Sequence, residues 1–141
     1  MKNNKLKVVL DTNVLMVSIL SQFRFYPIIE AVRNNEIQMC ISNEILTEYT
    51  EILLTRYKPN FIEPLISALI NLPNVHFYDP TFQWKLIYAD ADDDKFVDCT
   101  VASSADFLVT NDKHYNVLKT IDFPKINVIN ADDFLAILLS N

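Results

Sequence analysis

The sequence predicts a three-layer α/β/α domain with a mostly parallel central sheet, and three observations carry the prediction. Short apolar runs that read as strands alternate along the chain with longer stretches at helical spacing, the pattern of a parallel sheet covered on both faces. The length of 141 residues fits a single domain, 1–141, of a size that buries roughly 68–70% of the surface exposed when unfolded. Apolar residues make up 50% of the chain, nine Phe and six Tyr among them, which supplies a core and argues against disorder.

Lys7 to Asp11 reads as a short buried strand ending on a carboxylate, with turn and cap chemistry at Thr12 and Asn13 and a helix expected from Val14. Pro27 suits the first turn of a second helix, which carries Ile28, Ile29, Ala31 and Val32 towards Asn34 and Asn35. Ile37 to Ile41 returns as a strand. Ser42 or Asn43 caps a helix in which Ile45, Leu46, Tyr49, Ile52 and Leu53 recur at the 3.6-residue period. Pro59 opens another apolar stretch, Phe61 to Leu72, which breaks at Pro73 before the strand Val75 to Tyr78. Asp79 to Asp93 reads as a loop that becomes crowded with acids from Asp90, and a helix is expected from Asp94 to about Ser104. Phe107 to Thr110 and Ile126 to Ile129 are the last strands, the second followed by a helix capped by Asn130.

Composition removes several classes of function. The chain has no glycine, so it holds neither a dinucleotide-binding fingerprint nor a Walker phosphate loop. Cys40 and Cys99 stand outside any CxxC or Cys/His spacing, as buried thiols of a reducing compartment would. Met1 to Lys5 lacks the apolar region of an export signal, and no run approaches the roughly 20 apolar residues of a membrane span. A cytoplasmic protein without membrane contact is the expectation. The net charge of -6 runs against a nucleic-acid partner unless bound cations neutralise several carboxylates.

Those carboxylates carry the chemistry. Asp11 and Asp112 each follow a predicted strand, where ligands bind in open parallel sheets; the alternative is a loop residue capping the next helix. Glu48 flanks the buried stripe of its helix and can reach a cleft, although with Glu44 and Glu51 it also suits a solvated acidic edge. Asp94 and Asp98 are four residues apart, a like-charge pair on one helix face that a cation would relieve, and a solvent-exposed Asp98 is the alternative. If Asp11, Glu48, Asp94 and Asp112 converge, each close pair costs about 4 kcal/mol at about 4 Å in an effective dielectric of about 20. Oxygen ligands without His or Cys then favour magnesium or manganese over zinc.

Five stretches in order resemble the PIN domain family of small metal-dependent nucleases, which includes toxins of bacterial toxin–antitoxin pairs. They are Val-Val-Leu-Asp11-Thr-Asn-Val-Leu, Ile-Ser-Asn-Glu-Ile-Leu-Thr-Glu48-Tyr, Asp-Asp-Asp94-Lys-Phe-Val, Phe-Leu-Val-Thr110-Asn-Asp112 and Val-Ile-Asn-Ala-Asp-Asp-Phe-Leu. The eighteen-residue step from Asp94 to Asp112 agrees as well. The resemblance implies that Asp11, Glu48, Asp94 and Asp112 bind the metal, that Asp98 belongs to the acidic set, and that Asn13 and Thr110 support the site. The implied activity is hydrolysis of RNA with Mg2+ or Mn2+, and the implied partner is an antitoxin. The chain departs from many relatives in carrying Asn111 beside the last Asp and little positive charge around the cleft.

Lys95, Lys113 and His114, close in sequence to the acidic motifs, are the candidates to guide RNA, whereas Arg24 and Arg56 suit ordinary solvated surface charge better than that role. His76, in an apolar strand, suits the core better than a ligand role. Phe23, Phe25 and Tyr26 suit core packing better than a homodimer seam or a partner surface. The rival from another class is a catalytically weak PIN-like module that works by binding a protein. A receiver-like signalling domain needs its acidic pair early and its phosphorylated Asp mid-chain, the reverse of the order here.

Overall fold

The computed structural model describes residues 5–87 and 93–140 and is built around β1 (Lys7–Leu10). Val8, Val9 and Leu10 are all fully buried, as expected of a central parallel strand covered from both sides. The other strands are β2 (Gln38–Ile41), β3 (Val75–Phe77), β4 (Phe107–Val109) and β5 (Val128–Ile129), all parallel, in the order β3-β2-β1-β4-β5. Helices cover the sheet to give the three-layer α/β/α arrangement. The strand order has one functional consequence. The chain steps from β1 to β2 to β3 in one direction, then returns to pair β4 with the other side of β1. That reversal opens a crevice beyond the C-terminal ends of β1 and β4.

The helices are α1 (Thr12–Met16), α2 (Tyr26–Arg33), α3 (Asn43–Leu54), α4 (Pro59–Ile70), α5 (Asp94–Ser103) and α6 (Ala131–Leu139). Their ends follow local chemistry. The Ser42 hydroxyl accepts from the Ile45 amide at 3.1 Å to cap α3, and Asn130 Oδ1 accepts from the Asp133 amide at 2.7 Å to cap α6. Pro27 and Pro59 sit in the first turns of α2 and α4. Left-handed backbone after α2 and α5 falls to Asn35 and Ser104 in this glycine-free chain.

One local expectation is corrected, and one segment without an expectation gains a structure. The first helix starts at Thr12, two residues before Val14, because Asp11 is the extended N-cap residue and the helix closes a single turn. Lys113–Thr120, unassigned from sequence, forms a 3-10 helix that Asp112 caps by accepting from the His114 amide at 2.9 Å. Asp90 and Asp92 of the acidic run, and Met1 to Asn4, lie outside the described residues. Cys40 and Cys99 are buried and free, and His76 is half-buried in β3.

The core ties directly to the crevice through Tyr49. Its side chain is fully buried, and its hydroxyl donates to the Leu10 carbonyl at 2.5 Å, one residue before Asp11. Tyr49→Phe removes a donor from a buried carbonyl and should cost about 1–2 kcal/mol. Urea unfolding should show a lower midpoint with an unchanged slope.

Candidate metal centre

Asp11 leaves the end of β1 with only 6% of its surface exposed. Its amide donates to the Val109 carbonyl at 3.0 Å, which locks it to the end of β4. Its Oδ2 accepts from the Thr110 hydroxyl at 2.7 Å, and the same hydroxyl oxygen accepts from the Asp112 amide at 3.1 Å. One threonine therefore fixes both acids of the crevice. Burial pushes the Asp11 carboxyl above its ordinary value of 3.8; the Thr110 and Thr12 hydrogen bonds oppose this shift, and the charges of Asp112 and Glu48 add to it.

Glu48 comes from α3, where it follows Ile45 by one turn and so lies beside the buried stripe. Thr12 donates its hydroxyl to Glu48 Oε2, and Lys95 Nζ reaches Oε1 at 2.7 Å. The Lys95 side chain is only 10% exposed, so its ammonium is turned inward onto an acid of the cluster. Lys113, by contrast, is exposed at the start of the 3-10 helix, as is Asn13 near the start of α1.

The acids at the start of α5 separate. Asp93, the N-cap residue, places a carboxylate oxygen in a group with one from Asp112 and a His114 nitrogen, all within 4.8 Å of one another. His114 Nδ1 lies 3.7 Å from Asp93 Oδ2 and 3.5 Å from Asp112 Oδ1. Beneath them Tyr115 is fully buried and donates to the Asp93 carbonyl at 3.3 Å. Burial raises the Tyr115 phenol, with the charges of Asp11 and Asp93 adding, so it stays a neutral donor. Asp94 Oδ1 instead accepts from the Ile87 amide at 3.1 Å, and Asp98 Oδ1 from the Trp84 amide at 3.0 Å. Both clamp the 84–87 segment onto α5. Asp98 is buried, and that burial raises its carboxyl above 3.8.

Asp11, Glu48, Asp112 and Thr110 thus meet around the β1 and β4 strand ends, and Asp93, not among the site residues named from the sequence, stands beside Asp112. The eighteen-residue spacing pointed to Asp94. The available signal for Asp93 was its place immediately before the first helical residue, where Asp is favoured as a cap. Asp93, Asp112 and His114 bring their ligand atoms together, and Thr110 ties Asp11 to Asp112, a set of carboxylates with one imidazole whose chemistry fits a divalent cation.

A family model for the PIN domain matches residues 7–114, from the start of β1 to the histidine beside Asp112. The chain belongs to the PIN domain family. Among solved structures, VapBC2 from Rickettsia felis bound to a DNA fragment from their promoter is similar at 16% identity and a TM-score of 0.59. That match covers 89% of this chain and 98% of the other. The PIN domain endonuclease Utp24 is similar at 20% identity and a TM-score of 0.52, over 88% of this chain and 84% of the other. At these identities the likeness is one of fold. No curated protein sequence gives a significant match. In this PIN domain the acidic group occupies the switch point of the sheet. A separate cavity of about 560 Å³, lined by Leu15, Ile19, Ile29, Phe61, Leu65 and Leu69 with Arg33, contains no carboxylate.

Proposed function

We propose that the chain is a metal-dependent ribonuclease that hydrolyses RNA phosphodiester bonds, and that it acts as the toxin of a toxin–antitoxin pair in the cytoplasm. The observation that supports this most is the meeting of Asp11 and Asp112 at the strand ends, joined by Thr110, with Glu48 beside Asp11 and with Asp93 beside Asp112. Family membership gives that constellation its chemical class. Among the described residues no helix is long and apolar enough to cross a membrane.

The sequence nominates Asp11, Glu48, Asp94 and Asp112 as the catalytic carboxylates, with Asp98 as a further metal ligand and Lys95 and Lys113 on the substrate. The geometry favours Asp93 over Asp94 as the partner of Asp112. Asp11, Asp93 and Asp112 would hold a magnesium or manganese ion, which when bound would activate water and offset charge on the phosphate and the leaving oxygen. The chain's own residues prepare that chemistry. Thr110 orients the Asp11 carboxylate, Lys95 and Thr12 hold Glu48, and Tyr115 props the backbone at Asp93.

The test is cleavage of single-stranded RNA by the purified chain in magnesium or manganese. Cleavage that EDTA stops and either ion restores supports the reading. A second reading, an interaction module, draws on the apolar cavity, which no carboxylate among the described residues lines. A chain inert towards a broad set of RNAs in both metals, yet bound tightly by a protein partner, would favour it. A partner that forms a complex and stops cleavage would be the antitoxin.

A further inference from the structure

A second cleft of about 420 Å³ is lined by Asn13, Met16, Val17, Phe23, Arg24, Phe25, Arg56 and Tyr57. We propose that it is a nucleotide subsite that receives one unit of the RNA strand next to the bond being cut. The identity of the strand rests on the ribonuclease reading; the cleft's chemistry stands by itself.

The walls of this cleft belong to the elements that carry the acids. Asn13 and Met16 lie on α1, directly after Asp11, and Thr12 between Asp11 and Asn13 donates to Glu48. Arg56 and Tyr57 follow the end of α3, the helix that carries Glu48. The cleft's walls are thus continuous in the chain with the two segments that hold Asp11 and Glu48.

The lining suits a phosphate and a base. The chain has three arginines, Arg24, Arg33 and Arg56, and two of them line this one cleft of a protein with net charge -6. The third, Arg33, donates to the Tyr26 hydroxyl at 3.0 Å. Guanidinium groups match phosphate oxygens in paired hydrogen bonds and also stack on flat rings. Arg24 already shows the second habit, with its guanidinium carbon 4.8 Å from the Phe25 ring centre. Its ion pair with Asp132 joins side chains 67% and 57% exposed, a contact weak enough for a phosphate to replace. Arg56 is exposed and forms no ion pair among the described residues. Phe23, Phe25 and Tyr57 supply ring surface for a base, and stacking of that kind accepts any base. The volume lies within the range of small-ligand pockets, roughly 300–1,000 Å³.

The test compares the wild type with the Arg24→Ala/Arg56→Ala double variant. Both positions are exposed, so melting temperatures should agree. Binding of a fluorescein-labelled single-stranded RNA is followed by anisotropy in EDTA, which prevents turnover, across a series of salt concentrations. The double variant should bind about tenfold more weakly, and its salt slope should fall by about 0.7, the change that the loss of one phosphate contact on a single strand brings. In magnesium it should show a raised KM with kcat nearly kept. If the two proteins bind RNA equally, or neither binds, the inference fails, whether or not the wild type cleaves. If the variant instead changes only the oligomeric state, the cleft is a protein interface and the inference also fails. Loss of binding in the variant of a chain that proves inert as a nuclease would uphold the subsite and overturn the catalytic reading.

Discussion

Asp11→Asn and Asp112→Asn are each expected to lower RNA cleavage at least about a hundredfold, since even groups one step removed from a metal commonly cost 10–100-fold when changed. The folded structure should survive both changes. Asn at position 11 still offers an oxygen to the Thr110 hydroxyl, and it removes a charge that burial already disfavours. Its melting temperature in EDTA should equal or exceed that of the wild type. The same experiment separates the two neighbouring acids at the head of α5. Asp93→Asn should share the large loss, because its carboxylate stands with Asp112 and His114. Asp94→Asn should lose less, because its oxygen accepts from Ile87 and an amide oxygen can do the same. Time courses of cleavage, with melting curves as the folding control, check all four variants. Full activity in Asp11→Asn would remove the proposed centre, and a larger loss at Asp94 than at Asp93 would restore the assignment that the eighteen-residue spacing suggests.

Much of this architecture is legible before any coordinates. The strand Lys7–Leu10, the capped helix from Asn43 and the final helix from Ala131 all follow from apolar period and cap residues. Asp11 and Asp112 are legible for the same reason, since each follows a recognisable strand. What escaped the sequence depends on where a helix begins and on hydrogen bonds between distant segments. Asp93 and Asp94 are chemically identical, and only the N-cap position of one and the Ile87 amide beside the other distinguish their surroundings. Lys95, named for RNA by its closeness to the acidic motif, pairs with Glu48 because α3 and α5 meet there, a contact that sequence distance hides. The grouping of Arg24 with Arg56 joins residues thirty-two positions apart in segments with no shared pattern. The 3-10 helix after Asp112 lacks the sustained apolar stripe that marks a longer helix.

Manganese should raise the melting temperature of the wild type at neutral pH by about 10 °C. At a concentration about a hundredfold above Kd, binding to the folded state alone adds about 2.7 kcal/mol, and for a domain of this size each kcal/mol moves the midpoint by about 4 °C. The pH dependence has a definite sign. Burial raises the folded-state carboxyls of Asp11 and Asp98 above 3.8, so each binds a proton more tightly folded than unfolded. Above the raised value both states are ionised, and these two groups destabilise the fold in EDTA. As pH falls through the raised value the folded state takes up its proton first and that penalty diminishes, until below 3.8 both states are protonated and the relief is complete. The cation supplies its relief in the opposite range, because protons displace it from Asp11 as the medium acidifies. The manganese-induced rise should therefore be largest at neutral pH and shrink towards 3.8. Asp11→Asn should abolish the rise, whereas Asp98→Asn, whose side chain serves the Trp84 amide, should retain it. Melting curves with manganese and with EDTA across that pH range decide the matter. A rise that survives Asp11→Asn undiminished would place the ion elsewhere, and one lost in Asp98→Asn would bring Asp98 into the ligand set.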